Sequence, residues 1–253
     1  MKRLYRFLLN KLPRPLLIRM SYVFRWIAPI FLKGNKVECN VCHKHFRKFL
    51  SYGATERSNV LCPNCLSLER HRLMWMYLNE NTDFFTAQKT VLHIAPEQCF
   101  LKRFKAMKNL KYTTADIESP IADVKMDLHN APFEDNTFDV IFCNHVLEHV
   151  KDDKQCMREL YRIMKPGGFG IFQVPIDYTR ATTYEDPSIV TPEDREKHYW
   201  QKDHMRLFGS DYHKQLETVG FKVECNEMAS KMDPAKADRF RLMKSEILYI
   251  SRK

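Results

Sequence analysis

Four cysteines form two Cys-x-x-Cys pairs, "CNVC" (Cys39, Cys42) and "CPNC" (Cys62, Cys65), with residues 43–61 between them. Each pair presents two thiolates from one tight turn. Two such turns complete a tetrahedron with no position left for substrate, the chemistry of a structural zinc site. A pair of disulfides in an exported protein is the alternative, but no export signal is evident, and Cys99, Cys143, Cys156 and Cys225 are scattered singly. His43, His45 and His71 lie close enough in sequence to substitute as ligands. A second chemical group, "HVLEH" (His145, Glu148, His149), fits the His-x-x-Glu-His pattern of zinc proteases, which sets both histidines on one face of a helical turn. A third, "DHMR" (Asp203, His204, Arg206), joins a group able to take a proton to a cation.

The elements that must position these groups follow from periodicity. From residue 90 the chain alternates short apolar runs with longer helical ones: "TVLHIA", "QCFLKRFKAMK", "KYTTADI", "ADVKMDL", "FDVIFCN", "DDKQCMRELYRIM", "GGFGIFQVP". Such alternation predicts an α/β fold with right-handed crossovers and a mostly parallel sheet covered on both faces. After it, "DYHKQLETVG" predicts a helix stopped by Gly220. "FKVECNEM" and "EILYISRK" predict a final pair of strands joined by a polar, mobile stretch around "ASKMDPAKADRF". Ahead of the body, "LSLERHRLMWMYLNEN" predicts a helix with Leu66, Leu73, Met76 and Tyr77 near one face. At 253 residues, 44% of them apolar, the chain can bury one full core and carry a small module. The boundaries read as 1–36 for a basic segment, 37–80 for the zinc ribbon and its connecting helix, and 88–253 for the body.

The formal net charge of +10 is uneven. Residues 1–36 carry nine Lys or Arg and no Asp or Glu, leaving 32 positive against 31 negative charges elsewhere. A near-neutral body disfavours a nucleic-acid-binding surface, which needs basic side chains across its face. Within the basic segment the longest uncharged run, Trp26–Leu32, falls far short of the roughly 18 residues a membrane span requires. Basic residues interleaved with Leu, Phe and Trp instead suit a segment lying in a membrane interface; a helical extension packed on protein is the alternative. The expected location is cytoplasmic, peripheral on the inner face of the membrane.

The run "DLHNAPFEDNTFDVIFCNHVLEHVKDDKQCMRELYRIMKPGGFGIFQVP" resembles the signature region of class I S-adenosylmethionine-dependent methyltransferases, especially the group with the ubiquinone and menaquinone C-methyltransferases. The resemblance spans roughly residues 88–253 and implies a doubly wound, seven-stranded, Rossmann-like sheet. It sets the zinc-protease reading of "HVLEH" aside, since the segment falls where this family passes from strand to helix. In the family, the loop after the first strand reads acidic-x-Gly-x-Gly-x-Gly. Here His93 stands at the acidic position, and Ala95, Glu97 and Cys99 replace the glycines. The resemblance further implies that Asp116 meets the ribose hydroxyls of S-adenosylmethionine, that Asp127 meets the adenine amino group, and that Asn144 opens the cofactor segment after the fourth strand. On this reading Glu97 faces the methionine ammonium and Ala95 permits the nearest backbone approach, although Pro96 and an acid beside the helix dipole are also ordinary features of a helix start.

Acceptor residues belong past the carboxyl ends of the strands, the ligand crevice of an open α/β sheet. Those places hold His145, then Asp177 and Tyr178, then the insert "TTYEDPSIVTPEDREKHYWQKDHMRLFG". The insert far exceeds the about two to six residues usual for such connections and reads as a lid or acceptor-binding segment, or as an ordinary solvated loop. In it, Tyr184, Glu185 and Asp186 would hold a cationic or hydroxylated acceptor, Arg206 beside Asp203 would suit an anionic one, and His204 is the expected proton acceptor, ahead of His145 and Asp177. The acceptor is expected to be a small-molecule, lipid-linked or glycan compound. RNA methylation is the runner-up, because some rRNA guanine methyltransferases join a cysteine-rich module to this fold; "NHVL" lacks the Pro-Pro-aromatic turn that grips a flipped base. A cofactor-free scaffold binding partners through ribbon and tail is the non-enzymatic alternative.

Overall fold

The computed structural model describes residues 14–53, 56–120 and 122–253, so Lys2, Arg3, Arg6 and Lys11 of the basic segment lie outside the described residues. The chain divides into two compact units. One takes the residues up to Thr82 together with Gln98–Phe100 and Met228–Glu246; the other takes Asp83–Glu97, Leu101–Glu227 and Ile247–Lys253.

In the first unit, helix α1 (Arg14–Phe31) precedes two short antiparallel pairs, β1 (Lys33–Cys39) with β2 (Lys44–Phe46) and β3 (Leu50–Tyr52) with β4 (Arg57–Leu61). Each Cys-x-x-Cys pair closes a turn of the same kind. His43 N donates to Cys39 O (2.7 Å) and Leu66 N to Cys62 O (2.9 Å), with His43 and Leu66 both left-handed, at φ 53° and 63°. Helix α2 (Glu69–Asn81) follows, and it buries Leu73, Met76 and Tyr77 while Leu66 stays half-buried in the turn before it. Its Arg72, fully buried, donates to the carbonyls of Val60, Ser67, Phe240 and Arg241 at 2.6–3.2 Å and stacks on Phe49. A buried guanidinium is tolerated because its N–H groups find acceptors whose own burial would otherwise be costly. Residues 228–246, which sequence reading placed in the body, pack here instead. They are also not the irregular stretch expected, forming short helices α7 (Met228–Lys231) and α8 (Pro234–Arg239), with Arg239 paired to Glu38 and Lys236 to Glu80.

The second unit contains the seven-stranded sheet. Its members in chain order are β5 (Lys89–Ile94), β6 (Leu110–Asp116), β7 (Val124–Lys125), β8 (Phe138–Cys143), β9 (Met164–Ile171), β10 (Lys222–Asn226) and β11 (Leu248–Arg252), arranged β10-β11-β9-β8-β5-β6-β7. The five from β7 to β9 run parallel, and β11 and β10 add antiparallel at the other edge. Helices α3 (Gln98–Lys105), α4 (Asp153–Ile163), α5 (Pro192–Tyr199) and α6 (Tyr212–Thr218) make or follow the crossovers. The asparagine-free start of α4 is capped by Asp152, which accepts from Gln155 N, and its Cys156, Met157, Leu160 and Ile163 turn inward. Along β5 the last four residues are all buried, as both-sided cover demands. Leu92 and Ile94 join the main core with Ile141, Met157, Phe172 and Tyr212, whereas His93 meets Phe104 and Phe142 on the opposite face.

Strand order reverses at β5, so its carboxyl end faces the switch-point crevice of the sheet. Register sets what gathers there. Ile94 pairs with both Ala115 and Cys143, which brings Ala95, Asp116 and Asn144 level at the ends of three adjacent strands. Ala95 is left-handed, at φ 50°, and its N–H reaches Ala115 O at 2.9 Å. The turn thus keeps at Ala95 the conformation a glycine would supply, at a strain of about 1 kcal/mol for a residue with a Cβ. The release of that strain by glycine and the added freedom of the unfolded chain nearly offset each other. Ala95→Gly is therefore expected to leave stability within about 0.5 kcal/mol of the parent, whereas Ala95→Val, β-branched at positive φ, should lose about 1–2 kcal/mol in a urea melt.

Candidate cofactor and acceptor site

Past Ala95 the chain turns directly into α3, with Glu97 at its N-cap, but the carboxylate makes no cap hydrogen bond. It turns to the sheet instead. One oxygen takes the Nε2 proton of His93, and the other accepts from Asn144 Nδ2 at 3.1 Å. A carboxylate only accepts, so Nε2 of this fully buried histidine carries the proton, and Nδ1 accepts the hydroxyl of Tyr112 at 2.7 Å. Asn144 Oδ1 in turn accepts from Gln173 N at 3.3 Å, and Gln173 ties β9 to β11 through Ile247 O and Tyr249 N. The sequence reading found His93, Glu97 and Asn144 but missed Tyr112 and Gln173, whose pattern looks like ordinary strand residues until register is known.

Two carboxylates complete this side. Asp116, half-buried at the end of β6, accepts through Oδ1 from Glu118 N and Ser119 N at 2.8 and 2.7 Å. Its Oδ2 has no protein partner among the described residues. Asp127 accepts from the backbone N–H of His129 (3.0 Å) and from its ring (2.6 Å), and those bonds hold its carboxyl below the usual range.

After β8 the chain does not form the helical turn that "HVLEH" suggested. Residues 147–149 make a turn, and His145 is left-handed at φ 56°, its N–H on Gln173 O at 2.7 Å. Arg206 holds this loop in shape. Fully buried, it donates to Leu147 O, Val150 O and Lys151 O at 2.7–2.9 Å and to Glu185 at 3.0 and 3.1 Å, so it is not available to an anionic acceptor as the sequence reading expected. His204 is equally buried, and desolvation pulls its pKa below the ordinary histidine value; its Nδ1 donates to Tyr199 O at 2.7 Å. Beside it stand His149, with ring centroids 4.8 Å apart, and the buried carboxylate of Glu148, which accepts from His145 Nδ1 at 3.1 Å. Asp203, largely exposed, faces His149 Nδ1 at 3.2 Å.

The remaining expected acceptor residues lie apart from that cluster. Asp177 accepts from the hydroxyl and N–H of Thr179 and pairs with Arg180; the hydroxyl bond leads in lowering its pKa, which makes it a weak base. Tyr178 is half-exposed. Tyr184 shares a hydrogen bond with His198 (3.1 Å) beneath the Arg180 guanidinium, and Asp186 closes a turn with Ser188. The insert is anchored at both ends, by bridges Ile176–Phe208 and Tyr184–Leu207.

In the first unit the four cysteine thiols converge, buried, within 4.8 Å of one another. Cys39 Sγ and Cys65 Sγ are 3.5 Å apart and Cys42 Sγ and Cys62 Sγ 3.7 Å, far beyond a disulfide bond and near the about 3.8 Å expected between tetrahedral zinc ligands. Burial resists ionisation of Cys39, yet hydrogen bonds from the other three thiols and the charge of Arg72 outweigh it and bring this thiol well below its ordinary value. Hydrogen bonding to Cys39 instead leads in pushing Cys65 up, and burial leads for Cys62. Were all four ionised in this volume, they would repel one another unless a cation lay between them. His71 does not take part, its Nδ1 accepting from Leu68 N.

Comparison with known proteins agrees with this geometry. Residues 77–172 match the family described as a methyltransferase domain. Among relatives, the sterol 4-C-methyltransferase of Caenorhabditis elegans is 28% identical over 121 residues, 48% of this chain and 31% of that protein. The ubiquinone/menaquinone biosynthesis C-methyltransferase of Idiomarina loihiensis is 37% identical over 65 residues, 24% of this chain and 26% of that one. The chain thus spans about a third or less of these relatives' length. The crystal structure of the [4+2]-cyclase SpnF shares the fold, with a TM-score of 0.53 at 13% identity over 92% of this chain and 95% of that one. Over residues 77–172 the chain is thus similar to a methyltransferase domain, and its seven-stranded sheet has the fold of SpnF.

Proposed function

We propose that the second unit binds S-adenosylmethionine at the ends of β5, β6 and β8 and transfers its methyl group to a small-molecule or lipid-linked acceptor, such as a sterol- or quinone-like compound, a glycan being the further candidate. The observation that carries this reading is the carboxylate of Glu97, aimed away from its helix and held by His93 and Asn144 at the switch point. The cofactor supplies a methyl group already activated by a sulfonium charge. The chain has to hold and align the reactants and, where the acceptor requires it, take a proton. Glu97 suits the ammonium of the donor, the left-handed turn at Ala95 gives the closest backbone approach, Asp116 Oδ2 suits a ribose hydroxyl, and Asp127 suits the adenine amino group. His145, at the end of β8, is the nearest of the expected bases to this crevice by position in the fold. SpnF is a [4+2]-cyclase, which is why fold alone does not decide the reaction. Titration calorimetry is expected to show one S-adenosylmethionine per chain, with Glu97→Ala weakening it at least tenfold and Glu97→Gln less. Incubation with labelled cofactor and separate lipid, polar and RNA extracts should place label in the lipid or polar fraction. Label in RNA would favour the runner-up, and absence of cofactor binding would favour the scaffold.

The thiol cluster supports a structural zinc ion held by Cys39, Cys42, Cys62 and Cys65, which would tie the turns after β1 and β4 together. Metal analysis should return zinc that is lost in Cys62→Ser, together with a lower melting temperature; metal-free protein of unchanged stability would remove this assignment.

Helix α1 supports attachment to an anionic membrane surface. Leu16, Met20, Val23, Phe24, Ile27, Ile30 and Phe31 recur at helical spacing and are all exposed, with Trp26 exposed by 79%. No helix among the described residues is long and apolar enough to cross a membrane. The basic residues of the segment would each add about 1 kcal/mol near an anionic leaflet. Flotation with vesicles rich in phosphatidylserine should capture the chain, and a Phe24→Ser, Trp26→Ser, Phe31→Ser variant should float at least tenfold less. Equal flotation would point to a protein partner.

A further inference from the structure

The loop after β8 and the end of the insert assemble a group that methyl transfer, as proposed, does not use. Glu148 and His204 are each 1% exposed, His149 adjoins them, and one ligand atom from each of the three lies within 4.8 Å of the others. Hydrogen bonding fixes where their lone pairs are. His204 Nδ1 sits 2.7 Å from Tyr199 O, a carbonyl that only accepts, so the proton is on Nδ1 and the lone pair on Nε2. His149 Nδ1 faces Asp203 at both the carbonyl (3.3 Å) and the carboxylate (3.2 Å), which sets the same tautomer and leaves its Nε2 toward Glu148, 4.0 Å from Oε1. Glu148 Oε1 accepts from His145, but its Oε2 is buried with no protein partner, as is His204 Nε2.

The cluster therefore presents two imidazole lone pairs and a carboxylate oxygen to one another with no proton among them. Buried acceptors so arranged are costly unless something electropositive lies between them. We propose that Glu148, His149 and His204 bind a divalent first-row transition ion such as Zn2+, Mn2+, Fe2+ or Co2+. Two imidazoles and one carboxylate are the borderline donor set these ions favour, and three protein ligands leave coordination positions open. Asp203 and the Tyr199 carbonyl act as positioning groups, fixing the tautomer of each histidine as outer partners of metal ligands do. His145 holds Glu148 in the same way. The ion would lie beside the end of β8 and offer its open positions to an oxygen of the acceptor. That last role rests on the methyl-transfer reading; the binding of the ion does not.

The test uses the full chain, its cysteine cluster loaded with zinc, titrated with Co2+ and separately with Mn2+, without cofactor or acceptor. The expected result is one further ion per chain, with cobalt d–d absorption and no thiolate-to-cobalt charge-transfer band. His149→Ala, at a partly exposed ring, and Glu148→Gln should each weaken binding at least tenfold, whereas Glu193→Gln on α5 should not. Pulsed electron paramagnetic resonance of Mn2+ on the unaltered chain should show coupling to imidazole nitrogen, a readout that needs no variant. No ion beyond the zinc, a thiolate band as the only cobalt signal, absence of nitrogen coupling, or unchanged binding in both variants would overturn the proposal. Because cofactor is absent, its failure is separable from failure of the methyltransferase reading.

Discussion

The second unit depends on one hydrogen-bonded chain, Tyr112 to His93 to Glu97 to Asn144, that crosses from β6 through β5 to the start of the loop after β8. Each link is forced by the one before it. A histidine fully buried on β5 among Phe104 and Phe142 must satisfy both ring nitrogens locally, and Tyr112 and Glu97 take them. Glu97, once turned to His93, is no longer free to cap α3, and its second oxygen then fixes Asn144. The turn between β5 and α3 is thereby shaped from side chains. In a glycine-rich turn the backbone itself would do this.

The same logic operates at β8, where Arg206 replaces regular secondary structure as the organiser. Three carbonyl acceptors, at 147, 150 and 151, would be unpaired in a loop of this depth, and one guanidinium satisfies all of them. Arg206 sits in the insert, and so the insert cannot be a free lid along its whole length. Its end, from His204 to Gly209, is largely buried, whereas most of the stretch from Pro187 to Asp203 retains the exposure of a surface segment.

Much of the architecture was legible because periodicity reports burial. The strands at 89–94, 110–116, 138–143 and 164–171 and the helix at 153–163 coincide with the apolar runs that announced them. The allocation of 228–246 was not legible, since its polar composition says nothing about which neighbour its few buried residues, Ala229 and Ala237, will meet. Among site residues, Cys39, Cys42, Cys62 and Cys65 were readable because the two pairs are local and self-completing. Glu148 and His149 were visible as a pattern, but their meaning hinges on His204, more than fifty residues away, and only the closure of the insert onto the β8 loop reveals it. Arg206 was misread for the complementary reason: a cation in a polar insert looks solvated until its acceptors, three backbone carbonyls and the carboxylate of Glu185, are known.

The loss of glycines changes the electrostatic character of the turn as well as its stiffness. A glycine-rich loop presents backbone N–H groups and therefore a positive potential, whereas here the foremost group is a carboxylate whose charge is only partly offset by His93 and Asn144. A negative turn repels the carboxylate end of an amino acid and attracts its ammonium and a nearby sulfonium. Asp116, with one oxygen held by two backbone N–H groups and the other unengaged, extends the same negative field along the neighbouring strand end. Side-chain charge therefore gathers around a backbone position, Ala95, that has the left-handed geometry a glycine would supply, and a negative field of this kind favours cationic over anionic groups.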